Sequence, residues 1–299
     1  MQITVTTPTA FSFKRTAISH GWSELPPFEI DLDKWTLTRV LDSGDQRPVT
    51  VTISEADGAV KIETRSKLGK RAAARVAADV RHMLRLDDDM SPFYERMMLE
   101  ADFAWIADAG AGRMLRSPTV FEDLVKTICT TNCSWSLTKK MVQGLVENLG
   151  REGSDKRRAF PTAEAMAVES EKFYRDEVRA GYRASYLKEL AERVASGSLD
   201  VESWLTSDLT TAELRKEMKR VKGVGDYAAE NLLKLVGRYD CLALDSWVRS
   251  QFAKTYNKGR ATPDKKIEKY YSRFGEWRGL ALWCDMTKSW MDDQGGVAF

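Results

Sequence analysis

The chain has 299 residues, room for one large or two ordinary domains. Hydrophobic residues make up 43% and charged residues 30%, a balance that excludes an intrinsically disordered chain. The formal net charge of +2 neither requires nor excludes a polyanionic partner, because local clusters decide nucleic-acid affinity. In chain order, residues 1–68 are rich in Thr, Val, Ile and aromatics, and ITVTT, KWTLTRVL, PVTVTI and AVKIETR alternate enough to read as strands. Turns are expected at 42–44 and 57–58. From residue 69 the character changes. KRAAARVAADVRHMLRL is an amphipathic helix, and helical patterns run from there through 69–299.

The cysteines, Cys129, Cys133, Cys241 and Cys284, have no disulfide-framework spacing and no C-x-x-C zinc pattern. Histidine chemistry is restricted to His20 and His82. MQITVTTPTAF lacks a basic stretch followed by an apolar core, and no run approaches transmembrane length. A reducing, cytoplasmic location with no membrane partner is therefore expected, on the nucleoid if the source is bacterial.

The segment LRKEMKRVKGVGDYAAENLLKLVGRYDCLALDSWVR carries the most information. Thr210 and Glu213 are spaced as a capping box, after which Leu214, Met218 and Val221 recur as a buried helical stripe. Gly223 and Gly225 bracket Val224, a pattern for a tight turn that approaches another backbone. A second helix runs from Asp226, with Ala228, Leu232, Leu233 and Val236 inward, and Gly237 ends it. Asp245 follows CLAL and is placed to cap a third helix.

These residues resemble the helix-hairpin-helix motif, here at about 212–237, and the downstream aspartate of the DNA base-excision glycosylase superfamily. Val221 and Lys222 replace the Leu-Pro usual before the hairpin. Three other stretches share the likeness: residues 116–150, GYRASYLKELAERV at 181–194, and FGEWRGLALWCDMTKSW at 274–290. The second resembles 8-oxoguanine glycosylases and the third 3-methyladenine II glycosylases. The resemblance implies a mainly α fold with an N-terminal antiparallel β domain (α+β). The sheet of 1–68 would precede two helical lobes in 69–299, with the active site between them. Duplex DNA carrying a damaged base is the implied partner and a monomer the implied state. Relatives with an iron–sulfur cluster use four closely spaced C-terminal cysteines. With only Cys284 in that region no cluster is expected.

Asp245 is the implied catalytic residue. Breaking an N-glycosidic bond builds positive charge on the sugar, which a fixed carboxylate stabilises. An aspartate here is also an ordinary helix N-cap, and the two roles are compatible. Tyr227 stands where bifunctional relatives carry a lysine nucleophile. A phenol forms no Schiff base, so hydrolysis without strand cleavage is expected; Tyr227 either walls the base pocket or packs on the hairpin. Lys222 and Lys234 are nearby but off that position. Lys222, Gly223, Val224 and Gly225 are implied to meet DNA phosphate, and a monovalent or divalent cation is implied at the Val221 and Val224 carbonyls. Asn132 matches the residue that fills the gap left by an extruded base, or else merely ends its helix. Trp135 wedges beside it or is buried. Trp283, Asp285 and Met286, with His20 and Trp22, are the remaining pocket candidates. Leu282 aligns with the glutamine that reads 8-oxoguanine, which argues against that lesion. An alkylated purine is favoured; a mismatched uracil or thymine, 8-oxoguanine, or non-catalytic binding of damaged DNA are the alternatives.

Overall fold

The computed structural model describes residues 1–42 and 47–291. Strands β1 (Gln2–Thr6), β2 (Phe28–Asp31), β3 (Thr36–Leu41), β4 (Val49–Ala56) and β5 (Ala59–Glu63) form a five-stranded antiparallel sheet in the order β1-β5-β4-β3-β2. The turn at Asp57 and Gly58 is present, with Gly58 at φ 61°. The turn expected at 42–44 falls largely outside the described residues. Strand β2 was not expected: FEID alternates but is only four residues long, and it becomes a strand by pairing with β3 at the sheet edge. In β4, Val49, Val51 and Ile53 point inward while Thr50 and Thr52 are only half-buried. Ile53 pairs with Leu37 on one side and Ile62 on the other, so one sheet face is an apolar band.

The helices are α1 (Phe13–Ala17), α2 (Lys70–Met83), α3 (Ser91–Met98), α4 (Trp105–Asp108), α5 (Val120–Thr130), α6 (Trp135–Leu149), α7 (Ala163–Ala167), α8 (Glu171–Asp176), α9 (Ala184–Ala195), α10 (Thr211–Met218), α11 (Asp226–Leu235), α12 (Ser246–Tyr256), α13 (Asp264–Tyr271) and α14 (Arg278–Met286). The protein is thus mainly helical behind a small antiparallel sheet. None of the described helices is long and apolar enough to cross a membrane. Helix α2 stops at Met83, short of the expected RL, because Arg85 turns to φ 55°. That turn sends the Arg85 guanidinium to the Lys234 and Leu235 carbonyls at the end of α11, 3.1 and 3.3 Å away. Arg116 also reaches Leu235 O, so two cations neutralise the negative end of the helix that carries the hairpin.

A buried charge cluster ties the sheet to the helices. Arg39 of β3 grips Glu122 of α5 with both guanidinium nitrogens, and Lys126 lies 2.6 Å from the same carboxylate. Burial alone would raise the Glu122 pKa, but Arg39 and Lys126 hold it down at about 2. Beside it, Asp123 accepts the Trp22 indole N–H at 2.7 Å and the Ser117 amide at 2.9 Å. This places Trp22, on the turn between α1 and β2, over α5 at one wall of the cleft described next.

Candidate active site

The hairpin forms as its local pattern requires. The Thr210 hydroxyl accepts the Glu213 amide and Glu213 accepts the Thr210 amide, which completes the capping box of α10. The chain turns through Val221–Val224 with a 3.1 Å hydrogen bond between those residues and enters α11 at Gly225. Gly223 is required on two counts: its φ is 87°, and a Cβ would lie 2.8 Å from the Tyr186 ring. The close approach is thus to a side chain, not to a second backbone. Gly225 has an ordinary φ of −86° and open space around it, so its requirement is weaker. No side chain caps the start of α11. Lys222, just before the turn, is exposed and pairs with Glu189 of α9.

Asp245 caps α12, its Oδ1 accepting the Val248 amide at 2.7 Å. It is half-buried and opens onto a cleft of about 960 Å³ bounded by the hairpin, the α5–α6 turn, the His20–Trp22 segment and α14. Tyr227, the second residue of α11, lines the same cleft near that carboxylate. Burial raises the phenol pKa first, and the Asp245 charge raises it further. The tyrosine stays 38% exposed as a whole and forms part of the wall.

The cleft is walled by indoles. Trp247, Trp283 and Trp290 contact one another with ring centroids 5.6–6.1 Å apart. Trp22 and Trp135 line the opposite side. Three indole N–H groups already have protein partners: Trp22 donates to Asp123, Trp135 to Glu24 and Trp283 to the Ser19 carbonyl. Trp290, the end of the aromatic-rich stretch 277–290, reaches the cleft from the short helical turn after α14. Trp247 was missed in the sequence, although it was legible, lying two residues past Asp245 at the start of α12.

His20 lies in the wall, buried, with Nε2 2.7 Å from the Leu115 carbonyl. Burial lowers its pKa to about 4; the Leu115 hydrogen bond opposes this, and nearby Lys126 and Arg85 add to it. Trp135 packs flat on Gly21, where a Cβ would meet its ring at 2.4 Å, so it is a packed wall residue and not a wedge. Asn132 is exposed at φ 47° on the turn between α5 and α6, at the cleft rim. Arg183 of the GYR turn holds that rim by donating to the Thr131 carbonyl, with its guanidinium 4.5 Å from the Tyr182 ring centroid.

Two expected pocket residues lie elsewhere. Asp285 turns away from the cleft and accepts the Tyr256 hydroxyl at 2.7 Å and the Tyr271 hydroxyl at 2.5 Å. Met286 is buried in the core. Trp283 faces the cleft, and at 100° per residue a helix puts position +2 on the far side. Leu282 is likewise fully buried and off the cleft, so it is not the base-reading position. All four cysteines are free; Cys133 lines the cleft and donates to the Cys129 carbonyl. Among the described residues no group of three or more His, Cys, Asp or Glu side chains could hold a metal ion.

Solved structures share this architecture. MBOgg1, solved with a low-affinity DNA ligand, superposes with a TM-score of 0.76 over 98% of this chain and 96% of its own, at 21% identity. The fold is that of the helix-hairpin-helix DNA glycosylases. The 3-methyladenine DNA glycosylase of Archaeoglobus fulgidus is equally similar, at TM-score 0.76 and 21% identity over 95% of this chain and 98% of that one. The Clostridium acetobutylicum 8-oxoguanine glycosylase/lyase, bound to DNA with cytosine opposite 8-oxoguanine, gives TM-score 0.72 and 21% identity over 95% and 93%. In sequence, the N-glycosylase/DNA lyase of Saccharomyces cerevisiae is 24% identical over 161 residues, 49% of this chain. The match spans 42% of that yeast protein's length. No family model matches the chain.

Proposed function

We propose that this protein is a monofunctional DNA N-glycosylase that removes a damaged base from duplex DNA. The observation that carries the reading is the Tyr227–Asp245 pair at the wall of an indole-lined cleft. A carboxylate sits where charge develops, and no amine stands at the hairpin position from which relatives attack the sugar.

In the proposed reaction the bond from the sugar C1′ to the base nitrogen breaks, with its electrons leaving on the base. Asp245 stabilises the positive sugar; water adds its oxygen to C1′ and passes a proton by way of the Asp245 carboxylate to solvent, leaving an abasic strand and the free base. Tyr227 stands beside that carboxylate as part of the wall. The Gly223 and Gly225 amides, with Lys222, form the phosphate site, and Val224, whose own amide bonds Val221 O, shapes the turn that presents them. Val221 O accepts one hydrogen bond and keeps a lone pair, so it and Val224 O can hold a cation that adds positive charge there. All these groups come from one chain, so a monomer carries the site. Free thiols throughout suit a reducing compartment such as the cytoplasm.

An alkylated purine is the favoured substrate class. With the N–H groups of Trp22, Trp135 and Trp283 engaged, these three indoles offer a base their ring faces and not a donor. A cationic base gains on the order of 1–2 kcal/mol on such a face when desolvated. Lys234 lies 5.7 Å from the Trp283 ring and weakens that ring for a second cation, which keeps the preference modest. Single-turnover release from 3-methyladenine-type and 8-oxoguanine duplexes, scored after alkaline cleavage, tests this. Roughly tenfold faster release of the alkylated base is expected. Faster release of 8-oxoguanine would make GYRASY the better guide to substrate, and no release from a full lesion panel would leave only a DNA-binding role.

A further inference from the structure

Lys234 is 1% exposed, yet it lies on α11 only two turns beyond Tyr227. Lysine is almost never buried this deeply unless its charge serves a partner. Its Nζ donates to the Leu242 carbonyl at 2.9 Å. One turn earlier on the same helix, Glu230 Oε2 accepts the Ala243 amide at 2.8 Å, while its other oxygen pairs with Arg215 at 2.7 Å. Leu242 C=O and Ala243 N–H are the two ends of one peptide unit. An i, i+4 pair of opposite charge therefore grips a single peptide from both sides, two residues before Asp245.

That peptide needs holding. Ala243 sits at φ 54°, a conformation a residue with a Cβ resists. From the far side α14 presses on the same loop, where a Cβ on Gly279 would lie 1.9 Å from the Cys241 carbonyl. The loop has little freedom, and its end is the Asp245 cap.

We propose that Lys234 is a positioning residue for Asp245: with Glu230 it fixes the 242–243 peptide, and so the loop that ends at the Asp245 cap. The inference rests on the reading of Asp245 as the catalytic carboxylate. The charged and titratable groups around Asp245 are Tyr227 and Lys234 from α11 and Arg249 from α12. Those facing Lys234 are Glu230, Asp245 and Cys241, with the Trp283 ring. Burial lowers the Lys234 pKa to about 8 against the opposing pull of those acids, so it is mainly an ammonium at neutral pH.

The test compares wild type, Lys234→Met, Lys234→Gln, Lys234→Arg and Asp245→Asn, each first checked for folding. Two readouts are used: single-turnover base release beside abasic-duplex affinity, and the nitrogen-15 amide signals of Ala243 and Val248, the first held by Glu230 and the second by Asp245. In both neutral variants the two amide signals should move and release should slow about tenfold. Lys234→Arg should restore both toward wild type, while binding to abasic duplex stays level throughout. Ala243 and Val248 signals that do not move in Lys234→Met would overturn the inference, as would Lys234→Arg behaving like Lys234→Met. If wild type releases no base, or Asp245→Asn releases it as fast, the functional reading fails instead, and the amide signals still decide the positioning claim.

Discussion

The Tyr227 phenol and the Asp245 carboxylate line one cleft, near enough for the carboxylate's charge to act on the phenol. The hairpin position from which a lysine attacks the sugar in relatives thus holds a phenol. Burial and that same carboxylate raise the phenol's pKa, so Tyr227 stays protonated at neutral pH.

Replacing Asp245 by Asn should slow base release by at least a hundredfold, the scale of losing one electrostatic stabiliser of a developing charge. Asparagine still caps α12, so the fold and duplex binding should persist. The check is single-turnover release together with gel-shift affinity on an abasic-site duplex. Release at the wild-type rate would remove Asp245 from the chemistry.

Borohydride reduction during turnover should trap no protein–DNA adduct, and the product should be an intact abasic strand. Lys234 is buried behind Trp283 and tied to Leu242 O, and Lys222 is paired with Glu189 outside the hairpin, so neither stands in the Tyr227 position. An adduct lost on substituting either lysine would make the enzyme a lyase.

Asn132→Ala should weaken binding to lesion or abasic duplex about tenfold more than binding to undamaged duplex, a difference near 1.4 kcal/mol. The residue is exposed at φ 47°, and Arg183 fixes the preceding carbonyl, so the tip is rigid before DNA arrives. Equal losses on both duplexes would reduce Asn132 to a turn residue.

Stability should fall as pH drops from 6.5 toward 4. His20 has a folded pKa near 4, so the unfolded chain takes up a proton that the folded one refuses. Its contribution is full above pH 6.5 and is lost below it at up to about 1.4 kcal/mol per unit. His82, lowered to about 4 mainly by burial, acts in the same direction. Asp123 opposes both: burial raises it to about 6, so the folded state binds its proton first and gains stability as pH falls from 6 to 3.8. Calorimetric Tm values between pH 4 and 7 should therefore decline less steeply in His20→Gln than in wild type. Parallel curves would show that His20 does not titrate as its burial requires.

What the sequence determined by itself was local. The Thr210–Glu213 capping box, the turn at Gly223, the end of α11 near Gly237 and the cap at Asp245 are each set within a few residues by hydrogen-bond reach and backbone sterics. The missing lysine at Tyr227 needs no structure either. Tertiary packing decided which residues face the cleft. Helix α14, RGLALWCDM, is apolar over most of its circumference, so periodicity could not say that Trp283 faces the site while Leu282 and Met286 enter the core and Asp285 meets two tyrosines. The Trp247–Trp283–Trp290 cluster and the grip of Glu230 and Lys234 on one peptide join residues from separate elements. Burial of a charge depends on what the rest of the chain brings to it, and a lysine in a helical pattern reads as solvated until its surroundings are known.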